Sequence, residues 1–193
     1  MIAAAVEDGD HAAAAVLAIG FEGALRASDL RSLRVESTNV RDNKLLLFVS
    51  RSKSDQTHRG AQVVVSSRPD APFDAVAIAL AWRRRIGRSS GPLFAHGDLE
   101  GGVDVVSPIC TRSILRIVKR YVARVGFEDV PLELVGAHSL RAGWATEELD
   151  LETPAVAVAA HLRHADLSTV MAYYRPRQHH NLTSLASSGD RAR

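Results

Sequence analysis

The chain has 193 residues, of which 46% are hydrophobic and 24% charged, with a formal net charge of +2. This composition excludes a long disordered or collagen-like protein, and the length suits one domain with a sizeable core. The single cysteine, Cys110, cannot form an internal disulfide, and no run of about 18 apolar residues predicts a membrane span. Because the apolar start, Met1 to Val6, lacks the basic region of a signal peptide, we expect a cytoplasmic protein.

The first third of the chain predicts helices followed by a small antiparallel sheet. Residues 11–20 are apolar nearly all round, which predicts a buried helix. Ser28 is expected to cap a short helix over 29–33. Residues 34–67 predict three strands, with a polar turn at Arg41–Lys44 and a loop before the third strand. The second strand is almost continuously apolar, which is typical of a strand covered on both faces.

The rest of the chain predicts helices. A helix over 73–86 is followed by a linker and by a Gly- and Asp-rich loop over 93–107. Ser107 and Pro108 have the residue types favoured at the cap and first position of a helix, which we expect to run to about Val125. Further helices are predicted over 137–149, after Pro154, over 167–174 and over 181–187.

Arginine dominates the basic residues, because only three of the 24 are lysine. Arginine binds phosphate with a planar pair of donors, but a GC-rich genome would also enrich it. Four arginines recur at every fourth position of one predicted helix, so they should line one side of it. Such a row is either a solvated face or a contact for DNA phosphates. Its members are Arg112, Arg116, Arg120 and Arg124.

Six further residues, spread over about 150 positions, form an ordered set. Each is unremarkable alone, since a surface lysine, a solvated arginine, a capping histidine or a core aromatic is the common case. Their order is specific: Arg, then Lys, then His-x-x-Arg, then His, then Tyr nine residues later. They are Arg26, Lys53, His138, Arg141, His164 and Tyr173.

In this order and in the surrounding sequence, the chain resembles the tyrosine recombinase (phage integrase) family from about Val16 to Pro176. Asp29 follows Arg26 by three residues, and HSLRAGWAT and HADLSTVMAYYRP are typical of the family's two C-terminal motifs. The resemblance implies an α+β, mainly helical catalytic domain over 1–187 with a small three-stranded antiparallel sheet, then a polar tail over 188–193. It also implies site-specific DNA recombination through transient 3'-phosphotyrosyl cleavage and religation.

The resemblance assigns a role to each of the six residues. Arg26 and Arg141 would clamp the phosphate and stabilise its developing charge. Tyr173 would attack the phosphorus, and Lys53 would protonate the leaving sugar oxygen. His138 would assist proton transfer from the tyrosine, and His164 would hydrogen-bond the phosphate.

Two alternatives concern individual side chains. Leu167, Val170, Met171 and Tyr174 have helical spacing, so Tyr174 is predicted to be a core residue, while Tyr173 points about 100° away. His161, His164, Asp166 and the pair His179-His180 could suggest a metal site. No thiolate or carboxylate at ligand spacing completes a tetrahedral set, so we predict no metal and no cofactor.

The sequence departs from the family pattern in two places. Members usually carry a helical DNA-clamping domain before the catalytic one, and about 10 residues precede the first predicted helix here. A DNA-binding remnant without productive recombination therefore remains an alternative, and a type IB topoisomerase is another within the enzyme class. Arg163 also stands where many members have glycine.

The expected partners are double-stranded DNA and further copies of the chain, with no membrane. Family members exchange C-terminal segments in a tetramer on DNA. Leu182, Leu185 and Ala186 form a short apolar patch that would dock either on a neighbouring copy or on its own domain.

Overall fold

The computed structural model describes residues 1–49, 60–100, 104–127, 131–136, 138–163 and 170. The predicted loop over 51–60 falls outside these residues except for Gly60, as do the predicted helices over 167–174, apart from Val170, and over 181–187. The described elements, in chain order, are α1 (Ile2–Glu7), α2 (His11–Glu22), α3 (Ala27–Ser32), a 3-10 turn (Val35–Ser37), β1 (Thr38–Arg41), β2 (Lys44–Val49), β3 (Ala61–Ser66), α4 (Ala75–Ile86), α5 (His96–Glu100), α6 (Thr111–Val125), α7 (Ser139–Asp150) and α8 (Ala155–Leu162). The domain is therefore mainly helical with one small sheet, as predicted.

Helix α2 is the centre of the core. Every residue from Ala12 to Gly20 is buried, because small side chains let α1, α4, α6 and α7 pack around it. Gly20 lies at one such contact: a Cβ there would lie 2.8 Å from Leu140 Cδ1 and 3.0 Å from Leu30 Cδ1, so a leucine side chain would have to shift. This close approach draws the first turn of α7 and helix α3 onto α2. It thereby sets the position of Arg141, the residue after Leu140.

The sheet has the order β1-β2-β3, and both pairs are antiparallel. Asp42 and Asn43 join β1 to β2 with φ of 50° and 57°, the left-handed conformations that a two-residue hairpin turn requires. Leu45, Leu47 and Val49 of β2 are buried, whereas Phe48 between them is 45% exposed. The prediction that β2 is covered on both faces was therefore wrong. The apolar run faces the core with alternate residues only.

Four local predictions also need correction. The first strand is shorter than expected, because a 3-10 turn over Val35–Ser37 precedes β1. Ser28 lies inside α3 rather than at its cap, and the predicted loop over 93–107 contains helix α5. Pro108 does not begin a helix; it pairs with Ala95 across an antiparallel bridge, so α6 starts only at Thr111.

Helix α1 was not predicted. None of the helices in the described ranges is both long and apolar enough to cross a membrane.

Candidate active site

Arg26 lies in the turn that joins α2 to α3. Ala24, with φ of 43°, redirects the chain after α2, and Arg26 is the extended residue that precedes the first turn of α3. The side chain of Asp29 is fully buried, and its Oδ2 atom accepts a hydrogen bond from the Arg26 backbone N–H at 3.2 Å. The Arg26 guanidinium is only 14% exposed, and its Nη1 atom lies 4.0 Å from the same oxygen. The carboxylate of Asp29, not the hydroxyl of Ser28, therefore caps α3.

Arg141 connects this turn to the end of α8. Its side chain is fully buried on α7. Nη1 donates a hydrogen bond to the Ala24 carbonyl at 2.6 Å, and Nη2 donates to the Leu162 carbonyl. Ala24 is two residues before Arg26, and Leu162 is two residues before His164. One guanidinium thus joins its own helix to a segment 117 positions earlier in the chain and to a segment 21 positions later.

Arg163 is a member of the candidate site that the sequence did not predict, although the position departs from the family pattern. It ends α8 with φ of 57° and ψ of 42°, and its Nη2 atom donates to Asp29 Oδ2 at 2.6 Å. The side chain is 13% exposed. Burial lowers the pKa of Arg163, and nearby Arg26 acts in the same direction, while Asp29 opposes both. The sequence signal that could have identified this residue is an arginine at a position where many family members have glycine.

Among the residues that the structure describes, the site carries more positive charge than Asp29 can balance. Arg26 and Arg163 face the single carboxylate of Asp29, and Arg141 lies close by. Three buried donor atoms, Arg26 Nη1 and Arg163 Nε and Nη1, have no hydrogen-bond acceptor in the part of the chain that the structure describes. Buried donors normally have partners, so this arrangement suits an anion.

The other four predicted catalytic residues are Lys53, His138, His164 and Tyr173. His138 is exposed and directly precedes α7, one turn before Arg141. Lys53, His164 and Tyr173 lie outside the described residues. Val170, however, is fully buried in a cluster that includes Ala24 and Leu162, the two residues whose carbonyls Arg141 contacts. Val170 belongs to the helical spacing that predicts Tyr174 to be a core residue, but Tyr174 itself lies outside the described residues.

The arginine row on α6 has a different environment. Its four members are exposed, and Arg116 donates to the Ser113 hydroxyl at 3.0 Å. Arg120 pairs with Asp10, and Arg124 Nη2 lies 3.3 Å from Asp8 Oδ1. Arg112, Arg116 and Arg120 line a shallow surface pocket with Leu115 and Lys119.

His161 has a structural role in this structure. Its ring stacks on Trp144 with centroids 4.2 Å apart, and Nε2 lies 3.0 Å from the Glu22 carbonyl oxygen. Burial lowers the pKa of His161. No group of three metal-ligating side chains occurs among the described residues, while Asp166, His179 and His180 fall outside them.

The domain resembles several solved recombinase structures in fold. XerA recombinase superposes with a TM-score of 0.69 at 18% identity, covering 92% of this chain and 55% of the other. XerH site-specific recombinase, bound to a palindromic difH substrate, gives 0.62 at 16% identity, over 83% of this chain and 41% of the other. The Tn1549 transposon integrase in complex with transposon right end DNA gives 0.58 at 14% identity, over 85% and 54%.

Sequence comparison agrees with the fold. The chain is 28% identical over 159 residues to an integrase/recombinase xerD homolog from Selenomonas ruminantium, which covers 82% of this chain. The chain spans 46% of that relative's length. The model of the phage integrase family matches residues 1–180. The chain therefore belongs to the phage integrase family of tyrosine recombinases.

Proposed function

We propose that residues 1–187 are the catalytic domain of a site-specific DNA recombinase that cleaves and rejoins strands through a 3'-phosphotyrosyl intermediate. One observation supports this most directly: Arg141 donates to the carbonyls of Ala24 and Leu162 and so joins the segments that lead to Arg26 and His164. Arg141 is thereby held against the chain two residues before Arg26, which supports a shared role for these two arginines at one phosphate. The buried donors of Arg26 and Arg163 that lack acceptors among the described residues fit an anionic ligand.

In the proposed reaction, the Tyr173 oxygen attacks the scissile phosphorus and the bond from phosphorus to the 5' oxygen breaks. Tyr173 gives up its proton with the help of His138, and Lys53 protonates the departing 5' oxygen. Arg26 and Arg141 stabilise the negative charge that develops on the non-bridging oxygens, and His164 donates a hydrogen bond to them. Religation is the reverse: a 5' hydroxyl attacks the phosphotyrosyl bond and the tyrosine leaves.

The proposed substrate is double-stranded DNA. XerH and the Tn1549 integrase, both similar in fold, are DNA-bound in their solved structures. Phosphate contacts from the α6 row, Arg112, Arg116, Arg120 and Arg124, would add affinity that does not depend on sequence. We further propose that strand exchange occurs in a tetramer on DNA, with Leu182, Leu185 and Ala186 docking on a neighbouring copy.

A nicked duplex that traps the covalent intermediate tests the reaction. With a chelator present, the parent protein should form a labelled protein–DNA adduct on a denaturing gel, because two arginines and a lysine supply the roles that a metal ion would otherwise fill. Tyr173→Phe removes only the hydroxyl and should abolish the adduct while DNA affinity remains. Tyr174→Phe is the matched control and should retain it.

The opposite outcomes identify the alternatives. DNA binding by the parent protein without any adduct would support a DNA-binding remnant. An adduct that persists in Tyr173→Phe would overturn the assignment of the nucleophile, and an adduct that the chelator removes would overturn the metal-independent mechanism.

A further inference from the structure

Arg163 occupies a backbone position at which a side chain is disfavoured. Its φ of 57° and ψ of 42° lie in the left-handed region, where helices commonly end on glycine. An L residue with a Cβ atom is strained there. The side chain is nevertheless buried and makes a specific ion pair with Asp29.

The ion pair of Arg163 competes with that of Arg26 for one carboxylate. Arg163 Nη2 lies 2.6 Å from Asp29 Oδ2, whereas Arg26 Nη1 lies 4.0 Å from the same oxygen. Arg26 and Asp29 are three residues apart on one helical turn, where opposite charges ordinarily attract each other into contact. Arg163 takes the short bond, and Arg26 Nη1 has no hydrogen-bond acceptor in the described residues.

We propose that Arg163 is a positioning residue: by holding the carboxylate of Asp29, it prevents Arg26 from closing onto that carboxylate and keeps the Arg26 guanidinium available for the scissile phosphate. This inference rests on the proposed function for the identity of the anion. Without Arg163, one arginine and one carboxylate would neutralise each other in a buried setting, where their attraction is strong. With Arg163, the three groups keep a net positive charge.

Single-turnover cleavage of the nicked duplex, measured at saturating protein, tests the effect on the reaction. Arg163→Gln should cleave about 10-fold to 100-fold more slowly, less than the 10²–10³-fold loss expected for removing a transition-state donor itself. Arg163→Lys keeps a cation beside Asp29 and should retain most of the rate. The control is Arg88→Gln, because Arg88 and Asp98 form a similarly buried pair, 16% and 10% exposed, in which no predicted catalytic residue takes part.

A double variant separates positioning from structural support. Adding Asp29→Asn to Arg163→Gln removes the carboxylate that would capture Arg26, so the cleavage rate should recover toward that of the parent. A merely structural role for Arg163 predicts the reverse, a further loss. Melting curves must show that the double variant is folded; failure of the folded double variant to recover, or an Arg163→Gln rate equal to that of the parent, would overturn the proposal.

A measurement without DNA keeps the inference independent of the reaction. The Nε–H NMR signal of Arg26 should shift in Arg163→Gln and stay unchanged in Arg88→Gln; an unchanged signal in both variants would overturn the proposal. If the parent protein forms no adduct but the Arg26 signal still shifts in Arg163→Gln, the proposed recombinase function fails and the positioning role stands. If the parent protein is active but Arg163→Gln shows neither slower cleavage nor a shifted Arg26 signal, the recombinase function stands and the positioning role fails.

Discussion

The guanidinium groups around Asp29 and those along α6 differ in burial and in the acids that face them. Arg26 and Arg163 are 14% and 13% exposed and share one carboxylate. Arg120 and Arg124 are 54% and 55% exposed, and each has its own aspartate. Buried charges interact strongly and are costly to leave unbalanced, whereas exposed pairs are screened by water and salt. Arginine therefore has a buried environment with a shared carboxylate in one region, and a solvated environment with a separate carboxylate for each side chain in the other.

The largest expected difference between the two regions is in stability. Asp29→Asn removes the carboxylate that Arg26 and Arg163 share, and loss of one partner of a buried pair costs about 3–5 kcal/mol of unfolding free energy. Asp8→Asn, at the exposed pair with Arg124, should cost about 0–1 kcal/mol. Urea denaturation of both variants measures the two losses. Equal losses would show that burial does not distinguish the regions.

The next largest effect is on cleavage. Arg141→Ala should slow adduct formation by about 10²–10³-fold, or roughly 3–4 kcal/mol, because it removes a transition-state donor. Arg112→Ala, in the exposed row, should leave the rate at saturating protein unchanged. Because Arg141 also holds two backbone carbonyls, melting curves must show that the variant is folded, and Arg141→Lys supplies a charged comparison. A rate for Arg141→Ala close to that of Arg112→Ala would contradict its catalytic role.

A smaller effect concerns DNA affinity within the α6 row. Arg112→Gln should weaken binding to all duplexes alike and reduce the slope of log affinity against log salt by about 1. Arg124→Gln should reduce it less, because Asp8 already neutralises part of that charge. Asp8→Asn should accordingly raise affinity. Salt titrations of labelled duplex measure all three variants, and unchanged slopes would assign the row to a solvated face.

The smallest effect is a pH dependence near the buried arginines. Burial holds the pKa of His161 below its ordinary value of 6.5, so the ring binds a proton more readily in the unfolded chain. The free energy of unfolding should therefore fall as the pH drops below about 6.5. His161→Gln should lessen this decrease. Equal pH dependence in parent protein and His161→Gln would refute this.

Local patterns accounted for most of the secondary structure. The apolar run over 11–20 predicted the buried α2, and the polar turn after residue 40 predicted the first hairpin. One failure has a tertiary origin: Ser107 and Pro108 carry helix-start residue types, yet the bridge between Ala95 and Pro108 holds that segment extended. Residue preferences report local free energies, and a tertiary contact can exceed them.

For the candidate site, the sequence by itself determined the residue types and their order, from which the family resemblance predicts the residues that bind and cleave a phosphodiester. Only the tertiary structure decided that Arg163 shares the carboxylate of Asp29, 134 positions away, and that Arg141 joins the chain at Ala24 to the chain at Leu162. No periodicity encodes such contacts, because they depend on how α2, α7 and α8 pack. The balance of charge around Arg26 is a product of that packing.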